Sequence, residues 1–251
     1  MNLPEEVIQA VNEGKCILVA GSHASQEAAM EVGVEPMTEK KLSRQLAGRR
    51  MPLREAAGVM EREKGREALV ALWREQRGFD AIAPTDFHRL ALRRFPRIFT
   101  TTQDDLFERA ATELGGRADV YYRGQRVPDP DPTRRAVVKL WGGLERPDTL
   151  MISDDNFRDM PYDADFRKSL RKILREHVVF FVGFRPEDTE FDILWDELSA
   201  AYGGELPRCH LAVPQGKISD VHWQKWVWRG LLPFTADPIE AMTFLESRVQ
   251  G

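Results

Sequence analysis

Short, almost unbroken apolar runs, each closed by turn residues, recur along the chain. They fall at 16–21 (CILVAG), 97–101 (RIFTT), 119–122 (DVYY), 136–141 (AVVKLW), 177–183 (HVVFFVG) and 209–213 (CHLAV), with 149–153 (TLMIS) as a further candidate. Runs of this length without polar alternation predict strands buried on both faces, as parallel strands are. Between them the period changes to that of a helix. Leu106, Phe107, Ala110, Ala111 and Leu114 keep one stripe apolar, as do Phe191, Leu194, Trp195, Leu198 and Tyr202. Strands alternating with such helices predict an α/β fold with a doubly wound, mainly parallel sheet.

The first strand is far from the second. Residues 26–95 hold several helical periods and no convincing strand, so we expect a helical module inserted in a sheet domain made of residues 1–25 and 96–251. The segment 123–136 alternates prolines with aspartates and is expected to be an exposed loop.

At 251 residues with 42% hydrophobic and 30% charged residues, the chain can bury a sizeable core. Its net charge of -4 supplies no global basic field for nucleic acid or an anionic membrane. No apolar run approaches the roughly 18 residues of a spanning helix, and the acidic, amphipathic start is unlike a signal peptide. These features predict a cytoplasmic protein with no membrane partner. The two cysteines, Cys16 and Cys209, lie in predicted strands and are expected to be buried thiols. With no CxxC pair, no zinc ribbon is expected. His210 follows Cys209 directly, so the two point to opposite faces and cannot share a metal.

Ligands of open parallel sheets bind outside the carboxyl ends of the strands. Four such ends change there to small or polar residues: Gly21-Ser22-His23-Ala24-Ser25, Thr100-Thr101-Thr102-Gln103-Asp104, Lys139-Leu140-Trp141-Gly142 and Gly183-Phe184-Arg185-Pro186-Glu187-Asp188. Together they predict a cleft.

In order and spacing these four stretches resemble the sirtuin-like domains of prokaryotes, whose motifs run GAG-x-S, TTN-x-D, K-L-H-G and G-[FY]-S-L-x-D. The ending GLLPFTADPIEAMTFLESR is similar to that family's last strand and helix, so the resemblance spans nearly the whole chain. It implies a Rossmann-like fold with a smaller helical module and a site for NAD or an ADP-ribose-like nucleotide. The site residues it implies are Gly21, Ser22, His23, Ser25, Thr101, Thr102, Asp104, Trp141, Gly183 and Arg185. Lacking a zinc ribbon, the chain resembles the zinc-free bacterial branch that hydrolyses NAD in antiphage defence.

Four positions depart from the family pattern. His23 replaces a glycine whose N–H approaches phosphate, and an imidazole there is expected to fill or alter the pocket. Thr102 replaces an asparagine that offers both donor and acceptor. Trp141 replaces the histidine that serves as general base, and indole has a donor but no basic lone pair. It is expected to plug the cleft, or alternatively to stack on a ligand's ring. Arg185 replaces a serine beside the phosphate and is expected either to grip a phosphate bidentately or to reach across and salt-bridge Asp104 or another carboxylate. Asp104 and Asp105 are expected to cap the following helix, as Asp188 does the next.

Fold-building positions are thus kept and those of the family's chemistry replaced. Loss of a general base costs about 10²–10⁴-fold, so the first expectation is a catalytically degenerate regulatory or assembly module. An NAD hydrolase rebuilt around His23, Asp104 and Arg185 is the alternative, and a non-hydrolysing nucleotide sensor a third. No catalytic residue is assigned. Partners are expected to be a protein or a second copy. Arg167, Lys168, Arg171, Lys172 and Arg175 stripe one helix, a solvated face that is the only candidate contact for nucleic acid other than through a partner. Trp223, Trp226 and Trp228 lie too close together for all to point inward, so at least one is expected at an interface. The triplet Ser22, His23 and Ser25 lacks the elbow of a serine hydrolase.

Overall fold

The computed structural model describes residues 3–33, 39–129, 131, 133–159, 164–185, 189–203, 206, 208–214, 216 and 219–249. Seven strands, β1 (Cys16–Ala20), β2 (Arg97–Thr100), β3 (Ala118–Tyr122), β4 (Arg135–Lys139), β5 (Val178–Val182), β6 (Cys209–Val213) and β7 (Leu231–Thr235), form one sheet in the order β3-β4-β2-β1-β5-β6-β7. Every neighbouring pair is parallel. The connections run one way from β1 through β2 and the other way from β5, so the central strands β2, β1 and β5 flank the point where the winding reverses. This is the doubly wound, Rossmann-like arrangement that the pattern predicts.

The period of two along each strand sorts the core. Ile17 and Val19 of β1 face one side, with Phe181, Phe191, Trp195 and Leu211; Leu18 and Ala20 face the other, with Phe87, Phe107, Phe180 and Met242. The first side is covered by α9 (Ala164–Glu176), α10 (Thr189–Tyr202) and α11 (Asp220–Trp228). The second is covered by α1 (Glu5–Asn12), α6 (Asp86–Arg94), α7 (Leu106–Glu113) and α12 (Pro238–Arg248). Both cysteines are buried as expected, and burial pushes their thiols well above the ordinary range, Cys209 to about 12.

Between β1 and β2 the chain is helical: α2 (His23–Glu31), α3 (Glu39–Ala47), α4 (Leu53–Lys64) and α5 (Arg66–Arg77), then α6. Leu42, Leu46, Met60, Leu69 and Trp73 build a third apolar cluster that includes Leu144, Leu150 and Ile152 from the segment after β4. The candidate strand 149–153 is therefore not one. Pro147–Thr149 is a turn of 3-10 helix, followed by extended chain and by α8 (Asp154–Asp159). Met151 bonds the Trp141 carbonyl, and the Ile152 and Ser153 N–H groups donate to the Asn156 side chain. Its apolar residues seat the helical module instead of pairing with a strand.

Candidate functional site

Each strand-end motif has a local reason for its shape. Gly21 lacks a positive φ; a Cβ there would instead overlap the Gly183 carbonyl oxygen and the Phe184 ring, so glycine lets the ends of β1 and β5 touch. Positive φ is the requirement at Gly183 and at Gly142, where a Cβ would also overlap the Thr149 backbone. The Gly21 N–H donates to the Val182 carbonyl at 2.8 Å and the His23 N–H to the Gly183 carbonyl at 2.9 Å. Ser22 is the N-cap residue of α2.

Above these ends lies an open cavity of about 680 Å³. Ser22, Ser25, Thr101, Thr102, Asp104, Trp141 and Arg185 line it from the segments that follow the strands, with Leu53 and Arg54 from α4 and Trp73 and Arg77 from α5. Of the ten residues implied by the resemblance, seven reach this wall. Gly21 and Gly183 shape it from below. His23 is the exception: only 8% exposed, it lies outside the lining, and its Nδ1 accepts from Arg185 Nη2 at 3.4 Å. The imidazole, buried and outside the lining, therefore does not take up the cavity.

Trp141 does not plug the cleft either. Its Nε1–H donates to Glu197 Oε2 of α10 at 3.2 Å, and its ring meets Phe157 edge-on at 5.3 Å. Held from behind, the indole is wall and not filling. The Arg54 guanidinium lies 3.5 Å over the Phe157 ring and 5.6 Å from Trp141, a cation–π contact that joins the module to this wall.

Asp104 is committed to the fold. Oδ2 accepts from Ser25 Oγ at 2.5 Å and Oδ1 accepts from the Leu106 N–H at 3.1 Å, so Asp104 satisfies a donor at the start of α7. Asp105, expected to share that task, makes no such bond and instead lies 3.6 Å from Arg109. Thr102 Oγ1 bonds Thr100 Oγ1 at 2.8 Å. Beneath the loop, buried Lys139 pairs with Glu108 at 3.0 Å and donates to the Asp104 carbonyl. Burial alone would lower the Lys139 pKa, but Glu108 and Asp104 outweigh it and hold the ammonium above its ordinary value. Asp188 lies outside the described residues.

Two residues escaped the sequence reading. Gln103 accepts from Trp73 Nε1 at 2.7 Å and donates to the Met151 and Trp141 carbonyls at 2.9 and 3.2 Å, tying the module to the sheet. A carboxamide one position beyond the family's asparagine was its only signal. Glu190, the second residue of α10, lines the same cavity. Its carboxylate accepts from the Ser22 N–H at 3.2 Å, from the Ser22 hydroxyl and from the Thr101 hydroxyl. In sequence it was one acid among several in PEDTE.

Elsewhere, Arg171 and Lys172 of the basic stripe are engaged, with the Ala201 carbonyl and with Asp129. Of the three tryptophans, Trp226 is buried, Trp223 packs against the core and Trp228 is 82% exposed. Among the described residues no group of three or more His, Cys, Asp or Glu could hold a metal, and no helix is long and apolar enough to cross a membrane.

A doubly wound parallel sheet with a cleft over its central strands defines a Rossmann-like protein, a class whose ligands bind outside the carboxyl ends of the strands. Residues 96–229, more than half of the chain, match the SIR2-like domain family, and the chain belongs to that family. Its fold is similar to a mutant Sir2 homologue in complex with ADP-ribose (TM-score 0.56, 15% identity, 98% of this chain and 96% of that one). A Sir2 homologue–NAD complex is comparable (TM-score 0.52, 14% identity, 99% and 94%). The NAD(+) hydrolase ThsA of Bacillus cereus (strain MSX-D12) is 30% identical over 122 residues, 47% of this chain and 25% of that protein. ThsA of Acinetobacter baumannii (strain 532279) is 30% identical over 115 residues, 44% and 24%. The chain thus aligns with about a quarter of the length of these curated relatives.

Proposed function

We propose that this chain is an NAD-hydrolysing SIR2-like domain and that the open cavity over β1, β2 and β5 is its active site. The observation that carries the reading is the cavity itself. Its 680 Å³ lie within the range of small-molecule sites, and neither His23 nor Trp141 fills it. The two matched hydrolases and the ADP-ribose and NAD complexes of similar fold support the same ligand class.

The missing histidine is less damaging to hydrolysis than the sequence alone suggests. The nicotinamide of NAD is a pyridinium and leaves as a neutral ring, so breaking its bond to the ribose needs no proton transfer. What the transition state needs is preorganised negative charge near the ribosyl carbon. Asp104, held in place by Ser25 and the Leu106 N–H, and Asp154 line the cavity and are the carboxylates we assign to that charge. Water then adds to the ribosyl carbon and loses a proton, giving ADP-ribose. The defence role implied by the sequence resemblance belongs to this same reading.

One observation favours a second reading, a nucleotide-binding module without turnover. At position 141 the indole offers no proton acceptor to activate the attacking water. A single assay separates the two. Purified protein incubated with NAD should release nicotinamide and ADP-ribose in equal amounts; ADP-ribose binding without nicotinamide release would overturn the hydrolase reading in favour of the second.

A further inference from the structure

The loop at the start of α2 is where a dinucleotide's diphosphate would meet backbone N–H groups, yet in this structure those donors are taken. The Gly21, His23 and Ala24 N–H groups donate to the carbonyls of Val182, Gly183 and Gly21. Such bonds are part of the fold and cannot be exchanged without breaking it. The Ser22 N–H differs, because its acceptor is a side chain, the Glu190 carboxylate at 3.2 Å. The same carboxylate takes the Ser22 and Thr101 hydroxyls. Glu190 therefore holds three donors that converge on one anion, at the positive end of a nine-residue helix and on the wall of the cavity.

We propose that Glu190 is an internal occupant of an anion subsite built by Ser22 and Thr101, and that the diphosphate of a dinucleotide binds there by displacing it. Two anions cannot occupy the same three donors at once, since they would repel at contact distance. Ligand binding and release of Glu190 are thus one event. Arg185, which lines the same cavity and whose Nε has no partner among the described residues, supplies the positive charge that a diphosphate needs and a lone carboxylate does not. The resident carboxylate acts as a threshold. It lowers the apparent affinity by the fraction of molecules in which the subsite is open, and anything that draws α10 away from α2 raises that affinity. This inference rests on the nucleotide-binding part of the reading above but not on catalysis.

Calorimetric titration of the purified chain with inorganic pyrophosphate and with ADP-ribose tests it. Glu190→Ala should bind both about tenfold more tightly than the unaltered chain or better, the gain expected if the subsite is open in roughly one molecule in ten. Glu190→Gln, neutral and nearly isosteric, should fall between the two and guards against a folding defect in the alanine variant. Adding Ser22→Ala and Thr101→Val to Glu190→Ala should reverse the gain. Unchanged or weaker binding in both Glu190 variants, with only a lowered melting temperature, would make the carboxylate a structural helix cap and overturn the proposal. Nicotinamide release is followed in parallel. Tighter binding without release supports the subsite and counts against the hydrolase reading alone.

Discussion

The indole N–H of Trp141 donates to Glu197 Oε2 at 3.2 Å, and Glu197 Oε1 in turn accepts from Arg123 Nη2 at 2.9 Å. The residue at the family's histidine position is thereby anchored to α10 by a partly buried ion pair, in which Arg123 is 5% and Glu197 17% exposed. This anchor explains why a large ring leaves the cleft open: its polar edge is held in the wall. Trp141→Phe removes the donor and keeps most of the ring, while Glu197 retains Arg123. The expected loss of stability is about 1–2 kcal/mol, measured by urea denaturation. NAD turnover should fall by far less than the roughly 10²–10⁴-fold that loss of a general base costs, because the indole is wall and not base.

Ser25 and Asp104 form the corresponding link between the glycine loop and the TTTQDD loop. Asp104 serves Ser25 and the start of α7 at once, so the two side chains should be energetically coupled. In a double-mutant cycle, Ser25→Ala and Asp104→Asn should each destabilise the protein by about 1–2 kcal/mol. The double variant should lose less than the sum, with a coupling of about 0.5–3 kcal/mol. Strict additivity in denaturant titrations would show that the link is not formed.

The sequence made the sheet legible because strands covered on both faces read as continuous apolar runs. Ile17 and Val19 are buried on one side, Leu18 and Ala20 on the other, so no polar position interrupts them. The same logic misassigned 149–153, where Leu150 and Ile152 are apolar because the helical module packs on them. Composition cannot tell those two demands apart. β7 was visible only through the family-like ending, since Pro233 breaks the strand pattern, a break tolerated at the sheet's edge. The strand-end motifs located the cleft, but not which side chains face it. The burial of His23 and the reach of Glu190 to a loop 168 residues away depend on how helices sit on the sheet. The crowding of tryptophans correctly implied an outward ring, though not which one; Trp228 is that ring.

Glu27, on α2, gives the site's surroundings a pH dependence. Burial, then the charges of Asp237 and Glu31, push its carboxyl from the ordinary 4.5 up to about 7, against the opposing pull of Arg185. The folded state therefore binds a proton more readily than the unfolded chain, and between about pH 4.5 and 7 it holds more protons. Stability from this group is full below pH 4.5 and falls as pH rises to about 7, where both states are ionised and the slope ends. Fully buried His88 opposes it. Burial holds the imidazole down to about 4, so its contribution is full above 6.5 and is lost as pH falls toward 4. The two slopes have opposite signs over nearly the same range and should partly cancel in the unaltered protein. Glu27→Gln removes one of them. Thermal melts should then show the variant more stable than the parent by a few degrees at pH 8, where the parent carries a partly buried and repelled carboxylate. Near pH 4.5 the two should be close, since the parent's carboxyl is protonated there. The variant alone should lose stability steadily from pH 6.5 downward, as His88 demands. A parent and variant that melt together at pH 8 would mean that Glu27 reaches solvent and carries no buried charge.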